Sequence, residues 1–184
     1  MIKIAFAGCT GSGKTTAAAF FAELSRNKNM IRSEHSFLSA IRSQCQNLFG
    51  LSWHDVNTPE GKERVVAPYN RTVNQLILAQ EQFLRSLNED YCVTKTMSDV
   101  DTVSLMGDVD ALLIKDVRHS NELNACLERG FTTIKIKRNV YGVNSFITEQ
   151  ELPDDKFTYI IDNNGTIPEF KEKLKQIKEF KMLL

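Results

Sequence analysis

The sequence predicts an α/β fold, a parallel sheet of about five strands with helices on both faces. Three observations point to it. Short apolar runs such as Ile2 to Ala7 and Ala111 to Ile114 lack the polar alternation of a half-solvated strand, so they read as strands buried on both sides. Segments with apolar residues three and four apart fall between such runs, so strands alternate with helices. The chain has 184 residues, 42% of them apolar, enough to bury one core without disulfides or a structural metal.

Taken in order, Ile2 to Ala7 is a strand that runs straight into glycines. From Lys14 the pattern turns helical, with Ala17, Phe20, Phe21 and Leu24 on one face, and Asn27-Lys28-Asn29 ends the helix. Met30 to Glu34 is a candidate second strand. Phe37, Leu38, Ile41, Cys45 and Leu48 repeat at helical spacing, with Gly50 as the stop. Leu51 to Pro68, containing Pro59, Gly61 and Pro68, reads as a polar connection. Trp53 within it reads as a core residue rather than a base-stacking one. Val73, Leu76, Ile77, Phe83, Leu84, Leu87 and Tyr91 trace one stripe of a long helix, and Thr94 to Asp108 has no readable period.

The second half is clearer. Asp110 to Ile114 is a strand, Asn121 to Arg129 a helix stopped by Gly130, and Thr132 to Ile136 a strand. Arg138 to Pro153 is polar and loop-like, Phe157 to Ile161 is the last strand, and Asn163-Asn164-Gly165 is a turn. Ile167, Phe170, Leu174 and Ile177 line the final helix. Its lysines (Lys171, Lys173, Lys175, Lys178 and Lys181) read as a solvated face.

Composition narrows the function. The 23 basic and 23 acidic residues cancel, which argues against broad nucleic-acid binding. No apolar run is long enough to span a membrane and no signal peptide is apparent, so a cytoplasmic chain is expected. Cys9, Cys45, Cys92 and Cys126 form no CxxC pair and read as reduced thiols. His35, His54 and His119 show no zinc-binding spacing.

The strongest signal is Gly8-Cys9-Thr10-Gly11-Ser12-Gly13-Lys14-Thr15, which matches GxxxxGK[ST] at every fixed position and lies between a predicted strand and a predicted helix. A chance match in a chain of this length is about a one-in-a-hundred event at average residue frequencies. The chemistry follows from the residue types. Glycines let backbone amides turn toward a phosphate, and the helix N-terminus adds partial positive charge. Gly11, Ser12, Gly13, Lys14, Thr15 and Thr16 are thus candidate ATP-binding residues, with Lys14 reaching the β- and γ-phosphates and Thr15 a ligand for Mg²⁺. This predicts a three-layer P-loop NTPase fold using ATP and Mg²⁺. No [NT]KxD motif follows a late strand, and Asp162-Asn163-Asn164-Gly165 fits DxxG only after the last strand, so a GTPase switch is not expected. The acidic pair of DNA-handling ATPases is also missing.

A second cluster follows the strand Ala111 to Ile114. Asp116 falls just past it, at the carboxyl edge of the sheet where ligands of open α/β folds bind. Asp116 is a candidate to hold Mg²⁺ through water, and Arg118 to neutralise phosphate. Asn163 and Asn164, after the last strand, are candidates for lining the adenine pocket.

Asp116-Val117-Arg118-His119-Ser120-Asn121-Glu122 resembles the D-x-R-x-x-x-E segment of bacteriophage-type deoxynucleoside monophosphate kinases. Weaker likenesses run in the same order: Phe37 to Gly50 with Arg42, Thr58 to Glu63, Thr72-Val73-Asn74-Gln75-Leu76, Asp90-Tyr91-Cys92-Val93, Gly130 to Arg138, and Ile147-Thr148-Glu149 through Gly165. Departures are Asn74, where the family pattern has arginine, and Cys92, where it has an aromatic. The chain is also short for the family, which implies trimmed lid and acceptor regions.

The resemblance implies one P-loop kinase domain over 1–184, with an acceptor-binding region at about 35–92 and a short lid-like loop at about 138–153. It implies transfer of the ATP γ-phosphoryl group to a (deoxy)nucleoside monophosphate, in a host cytoplasm if the chain is phage-encoded. Lys14, Arg118, Asp116 and Arg138 would be catalytic, and Arg42, Lys62 and Arg71 would grip the acceptor phosphate. The expected partner is a small-molecule acceptor, with no nucleic acid and no membrane; a homodimer is compatible with the reading. A dephospho-coenzyme A kinase and a degenerate nucleotide-binding module without turnover stand as alternatives.

Overall fold

The computed structural model describes residues 1–139 and 152–184, and these fall into two compact units. The first comprises Met1–Ser36 and Met97–Leu184, the second Phe37–Thr96. The lid-like loop expected at about 138–153 lies largely outside the described residues, as do Ile147, Thr148 and Glu149.

The first unit is built on a five-stranded parallel sheet. Its strands are β1 (Ile2–Ala7), β2 (Arg32–His35), and three that come later in the chain. Between β1 and β2 runs α1 (Lys14–Asn27). The second unit then contributes α2 (Ser39–Phe49), α3 (Trp53–Asn57), α4 (Pro59–Glu63), the two-residue strands β3 (Val65–Val66) and β4 (Arg71–Thr72), and α5 (Val73–Leu87). α6 (Tyr91–Met106) carries the chain from the second unit back into the first. There follow β5 (Ala111–Val117), α7 (Ser120–Glu128), β6 (Thr132–Lys137), β7 (Tyr159–Asp162), α8 (Ile167–Lys175) and α9 (Lys178–Lys181).

The sheet order is β2-β5-β1-β6-β7, with every pairing parallel. The expected α/β class and five-stranded parallel sheet are therefore present. The buried runs explain it. Leu112, Leu113 and Ile114 are all fully buried, so both faces of β5 are covered, as parallel sheets require. On one face Ile4, Phe6, Leu113, Ile134 and Ile136 meet Phe20 and Phe21 of α1, Phe170 and Leu174 of α8, and Phe180 of α9. Phe180 stacks on Phe20 and sets its ring edge against Phe21, with centroids 6.0 and 5.3 Å apart. At the end of α7, Arg129 forks onto both carboxylate oxygens of Asp101 in α6 at 3.0 and 2.9 Å. That guanidinium holds the Asp101 carboxyl below its ordinary pKa.

The second unit is helical. Phe37, ahead of α2, and Ile41 and Cys45 within it are buried together with Val56, Val73, Ile77 and Cys92 as its apolar residues. The stretch expected to be an irregular connection holds two short helices. Ser52 caps α3 in a capping box with Asp55, and Thr58 caps α4, whose first residue is Pro59. Arg64 then forks onto Asp55 at 2.7 and 2.9 Å.

Further expectations are corrected. The long stripe does not run to Tyr91: α5 ends at Leu87, Asn88 is extended, and Tyr91 begins α6. Phe83 and Leu87 are exposed, and Glu81 takes the buried position. Leu48, Ile167 and Trp53 are also exposed, Trp53 by 69%, so it is not a core residue. All four cysteines are free thiols, as expected.

Candidate active site

The sheet order creates a crevice before any side chain is considered. β1 and β6 are neighbours, yet the chain leaves β1 toward β2 on one side and leaves β6 toward β7 on the other. Adjacent strands whose connections diverge open a cleft at their carboxyl ends. The glycine loop 8–13 leaves β1 at that point.

Backbone geometry makes the loop an anion cradle. Gly8 and Gly13 have φ of 137° and 112°, a region that L side chains rarely adopt. A Cβ on Gly8 would strike the Ile136 carbonyl oxygen of β6, and one on Gly13 would strike the Asn163 amide and lie 3.3 Å from Phe170. The loop is closed by Ser12 N–H donating to Cys9 O at 3.1 Å, and α1 starts with Ala17 N–H donating to Gly13 O at 2.9 Å. Among the described residues the amides of Gly11, Gly13, Thr15 and Thr16 have no acceptor. They are the orphan donors of a helix N-terminus extended back into a loop. Lys14 Nζ donates to Gly8 O, and to Cys9 O at 2.8 Å, so the ammonium is held over the loop. Thr15 is exposed and Thr16 half-buried.

Asp116 stands beside this loop. The β1–β5 register pairs Ala5 with Ile114 but Ala7 with Val117, so β5 carries one extra residue there. A bulge of this kind re-aims side chains at a sheet edge. Strict alternation breaks, and the adjacent Asp116 and Val117 are both buried. The strand thus reaches Val117, so Asp116 lies inside its end and not just past it. Its Oδ2 accepts from Ser36 Oγ, at the end of β2, at 2.5 Å.

Arg118 comes next in the chain. Glu122, 1% exposed, accepts from the Arg118 and His119 amides at 2.8 and 3.2 Å and fixes the turn into α7. The Nε of Arg118 is buried and has no partner among the described residues, leaving a donor for an anion. Arg138 is exposed at the end of β6, and its carbonyl oxygen lies 4.0 Å from Cys9 Sγ. Asn163 is 6% exposed, donates from Nδ2 to Ser12 O at 2.7 Å, and has its own N–H on Lys137 O. Asn164 is exposed and bonded to Asp162 and to the Asn139 amide.

Lys14, the loop residues, Asp116, Arg118, Arg138, Asn163 and Asn164 therefore gather at the carboxyl edge of one sheet. The other three candidates fall in the second unit. Arg42 is half-buried on α2, Lys62 half-buried in the last turn of α4, and Arg71 exposed on β4, its guanidinium donating to the neighbouring Asn70 O at 3.4 Å. Two contributors were not assigned roles from the sequence. Glu122 stands at the third position of a helix start, a spacing that signals a cap. Nothing local marks Ser36, because only strand pairing brings it to Asp116.

The residues fit a magnesium nucleoside triphosphate. Unpaired amides, a lysine and an arginine Nε suit an anion, and the Thr15 hydroxyl with the Asp116 carboxylate suits a hard cation that keeps several waters. Among the described residues no group of three or more His, Cys, Asp or Glu forms a protein-only metal cage. No helix among the described residues is long and apolar enough to cross a membrane.

No protein-family model matches the sequence, and no curated protein matches it. Among solved structures, the chain is similar to dephospho-CoA kinase from Campylobacter jejuni (TM-score 0.47, 9% identity, covering 94% of this chain and 93% of that one). It is also similar to a sugar kinase from Janibacter sp. HTCC2649 (TM-score 0.44, 12% identity, 96% and 93% covered). A third is shikimate kinase from Aquifex aeolicus vf5 (TM-score 0.40, 17% identity, 98% and 99% covered). At these identities and scores the chemistry has to be read from the chain's own residues.

Proposed function

We propose that this chain is an ATP-dependent phosphotransferase that passes the γ-phosphoryl group of ATP to a (deoxy)nucleoside 5′-monophosphate. The observation that carries the reading is the cradle itself: unpaired amides of Gly11, Gly13, Thr15 and Thr16 at the sheet's switch point, with the Lys14 ammonium held above the loop.

Bringing two phosphates together costs free energy. Two unit charges about 4 Å apart repel by about 4 kcal/mol at an effective dielectric near 20. Phosphoryl transfer therefore needs positioning and cations more than covalent help. Lys14 and the loop amides hold the donor phosphates. Thr15 and Asp116 would hold Mg²⁺, which would supply positive charge against the phosphates. Arg118, with its unpaired Nε, and Arg138 spread charge over the transferred group. Asp116, steadied by Ser36, would hold the cation or orient the acceptor and is not a nucleophile. Arg42, Lys62 and Arg71 bind the acceptor phosphate, where a guanidinium fork suits the geometry. We place the protein in the cytoplasm.

A coupled assay for ADP with dGMP, dTMP, hydroxymethyl-dCMP, AMP and dephospho-coenzyme A as acceptors tests the reading. ADP should appear only when a nucleoside monophosphate is present. Turnover with dephospho-coenzyme A alone, or nucleotide binding without transfer to any acceptor, would replace it. Arg118→Ala should lower kcat by about a hundred-fold while changing ATP affinity little; an effect confined to ATP affinity would contradict its role.

A further inference from the structure

We propose that Asn163 is a positioning residue for the phosphate-binding loop and makes no contact with the nucleoside. The inference rests on the nucleotide-binding reading above and names the part of the ligand that Asn163 serves.

Asn163 is more than nine-tenths buried where β7 ends. Its backbone N–H donates to Lys137 O at 2.8 Å, which ties it to the last residue of β6. Its side-chain amide donates to Ser12 O at 2.7 Å, across 151 residues of sequence. That carbonyl belongs to the peptide joining Ser12 to Gly13. No peptide among the described residues is cis, so the C=O of Ser12 and the N–H of Gly13 point in opposite directions. Holding the carbonyl toward Asn163 turns the Gly13 amide away from it. The Gly13 amide is one of the donors without an acceptor among the described residues.

The glycine at 13 is part of the same device. Asn163 Nδ2 sits where a Cβ of residue 13 would lie, with Phe170 of α8 behind it. The strut thus reaches the carbonyl only because Gly13 has no side chain. Without Asn163 the Ser12–Gly13 peptide would be free to rotate about its flanking torsions, and the amide would have to be ordered by the ligand. That ordering cost falls on the polyphosphate, not on the base or sugar.

This separates the proposal from a role in the adenine pocket. Binding of Mg²⁺·ATP and of inorganic tripolyphosphate should be measured by calorimetry on the wild-type chain, Lys14→Met, Asn163→Leu and Asn163→Asp. Leucine removes the donor at similar size, and aspartate keeps the shape but replaces the donor with an acceptor. Both Asn163 variants should weaken ATP and tripolyphosphate by the same factor, about ten-fold for one orienting hydrogen bond. The Gly13 amide resonance should also move in the ligand-free variants. Weakened ATP binding with unchanged tripolyphosphate binding would place Asn163 against the nucleoside and overturn the proposal. Affinities within two-fold of wild type for both ligands in the folded variants would overturn it as well. If the wild-type chain binds neither ligand, and Lys14→Met behaves the same, the nucleotide reading itself fails.

Discussion

Lys14 shows how much a single side chain contributes before any ligand arrives. Its ammonium bonds to Gly8 O and Cys9 O, so it is stationed over the loop rather than waving in solvent. An ammonium already placed loses less side-chain entropy on binding than a free one, whose ordering costs about 2 kcal/mol. Lys14→Met should therefore weaken Mg²⁺·ATP binding by at least ten-fold and reduce transfer by about a hundred-fold or more. Calorimetry and the coupled assay check the two effects separately. Cys9 offers a second reading of the same loop. Burial pushes the Cys45 thiol up to about 11 and the Cys126 thiol higher still, so neither is a thiolate at neutral pH. Cys9 is half-exposed in the loop, whereas Cys45, Cys92 and Cys126 are buried. A thiol reagent at pH 8 should modify Cys9 first, and Mg²⁺·ATP should slow that modification. Equal rates with and without nucleotide would contradict an occupied loop.

At the scale of elements, the helix caps carry the second unit. The α3 cap is reinforced by Asp55, whose carboxylate accepts from Arg64 and from the Ser52 amide and hydroxyl. The Arg64 guanidinium, then the Ser52 donors, hold its carboxyl well below the usual carboxylate range. A depressed carboxylate stabilises the fold above its unfolded pKa of about 3.9, and the effect is lost as pH falls through that value toward the folded one. Unfolding of the wild type should thus become easier below about pH 4, and Asp55→Asn should show a flatter acid limb. Thr72 caps α5 in a capping box with Gln75, and Thr72→Ala should cost about 1 kcal/mol in chemical denaturation. These caps also explain what the sequence concealed. Helices of five residues are too short to show a period, so α3 and α4 were legible only through Ser52, Thr58 and Pro59. In α5 the residue four beyond Ile77 is Glu81, a buried acid paired with Arg85, so the apolar stripe continues to the wrong face at Phe83. The inner positions of α6 include Thr96 beside Cys92, Met97 and Val100, which blurs its pattern.

For the whole molecule, the legible part was the part written in local chemistry. Apolar runs marked β1, β5 and β7, whereas the edge strand β2, Arg32–His35, is wholly polar; the glycine loop with its lysine marked the site. Strand order is non-local, and it alone puts Ser36 against Asp116 and Asn163 against Ser12. The same packing sets stability. Phe180, near the end of the chain, is fully buried against Phe20 and Phe21, so α9 closes the core under α1. Phe180→Ala should cost about 3–5 kcal/mol in denaturant unfolding, and because α1 carries Lys14 it should also weaken nucleotide binding. A loss of stability below about 1 kcal/mol would show that α9 is peripheral to the fold.

The central claim is that the amides after β1 form the receptor for a triphosphate. A titration of Mg²⁺·ATP followed by backbone amide resonances tests it most directly. The resonances of Gly11, Gly13, Thr15 and Thr16 should shift saturably and more than those of any other segment, and Lys14→Met should abolish the response. Saturable shifts confined to other segments, or no saturation at millimolar nucleotide, would contradict it.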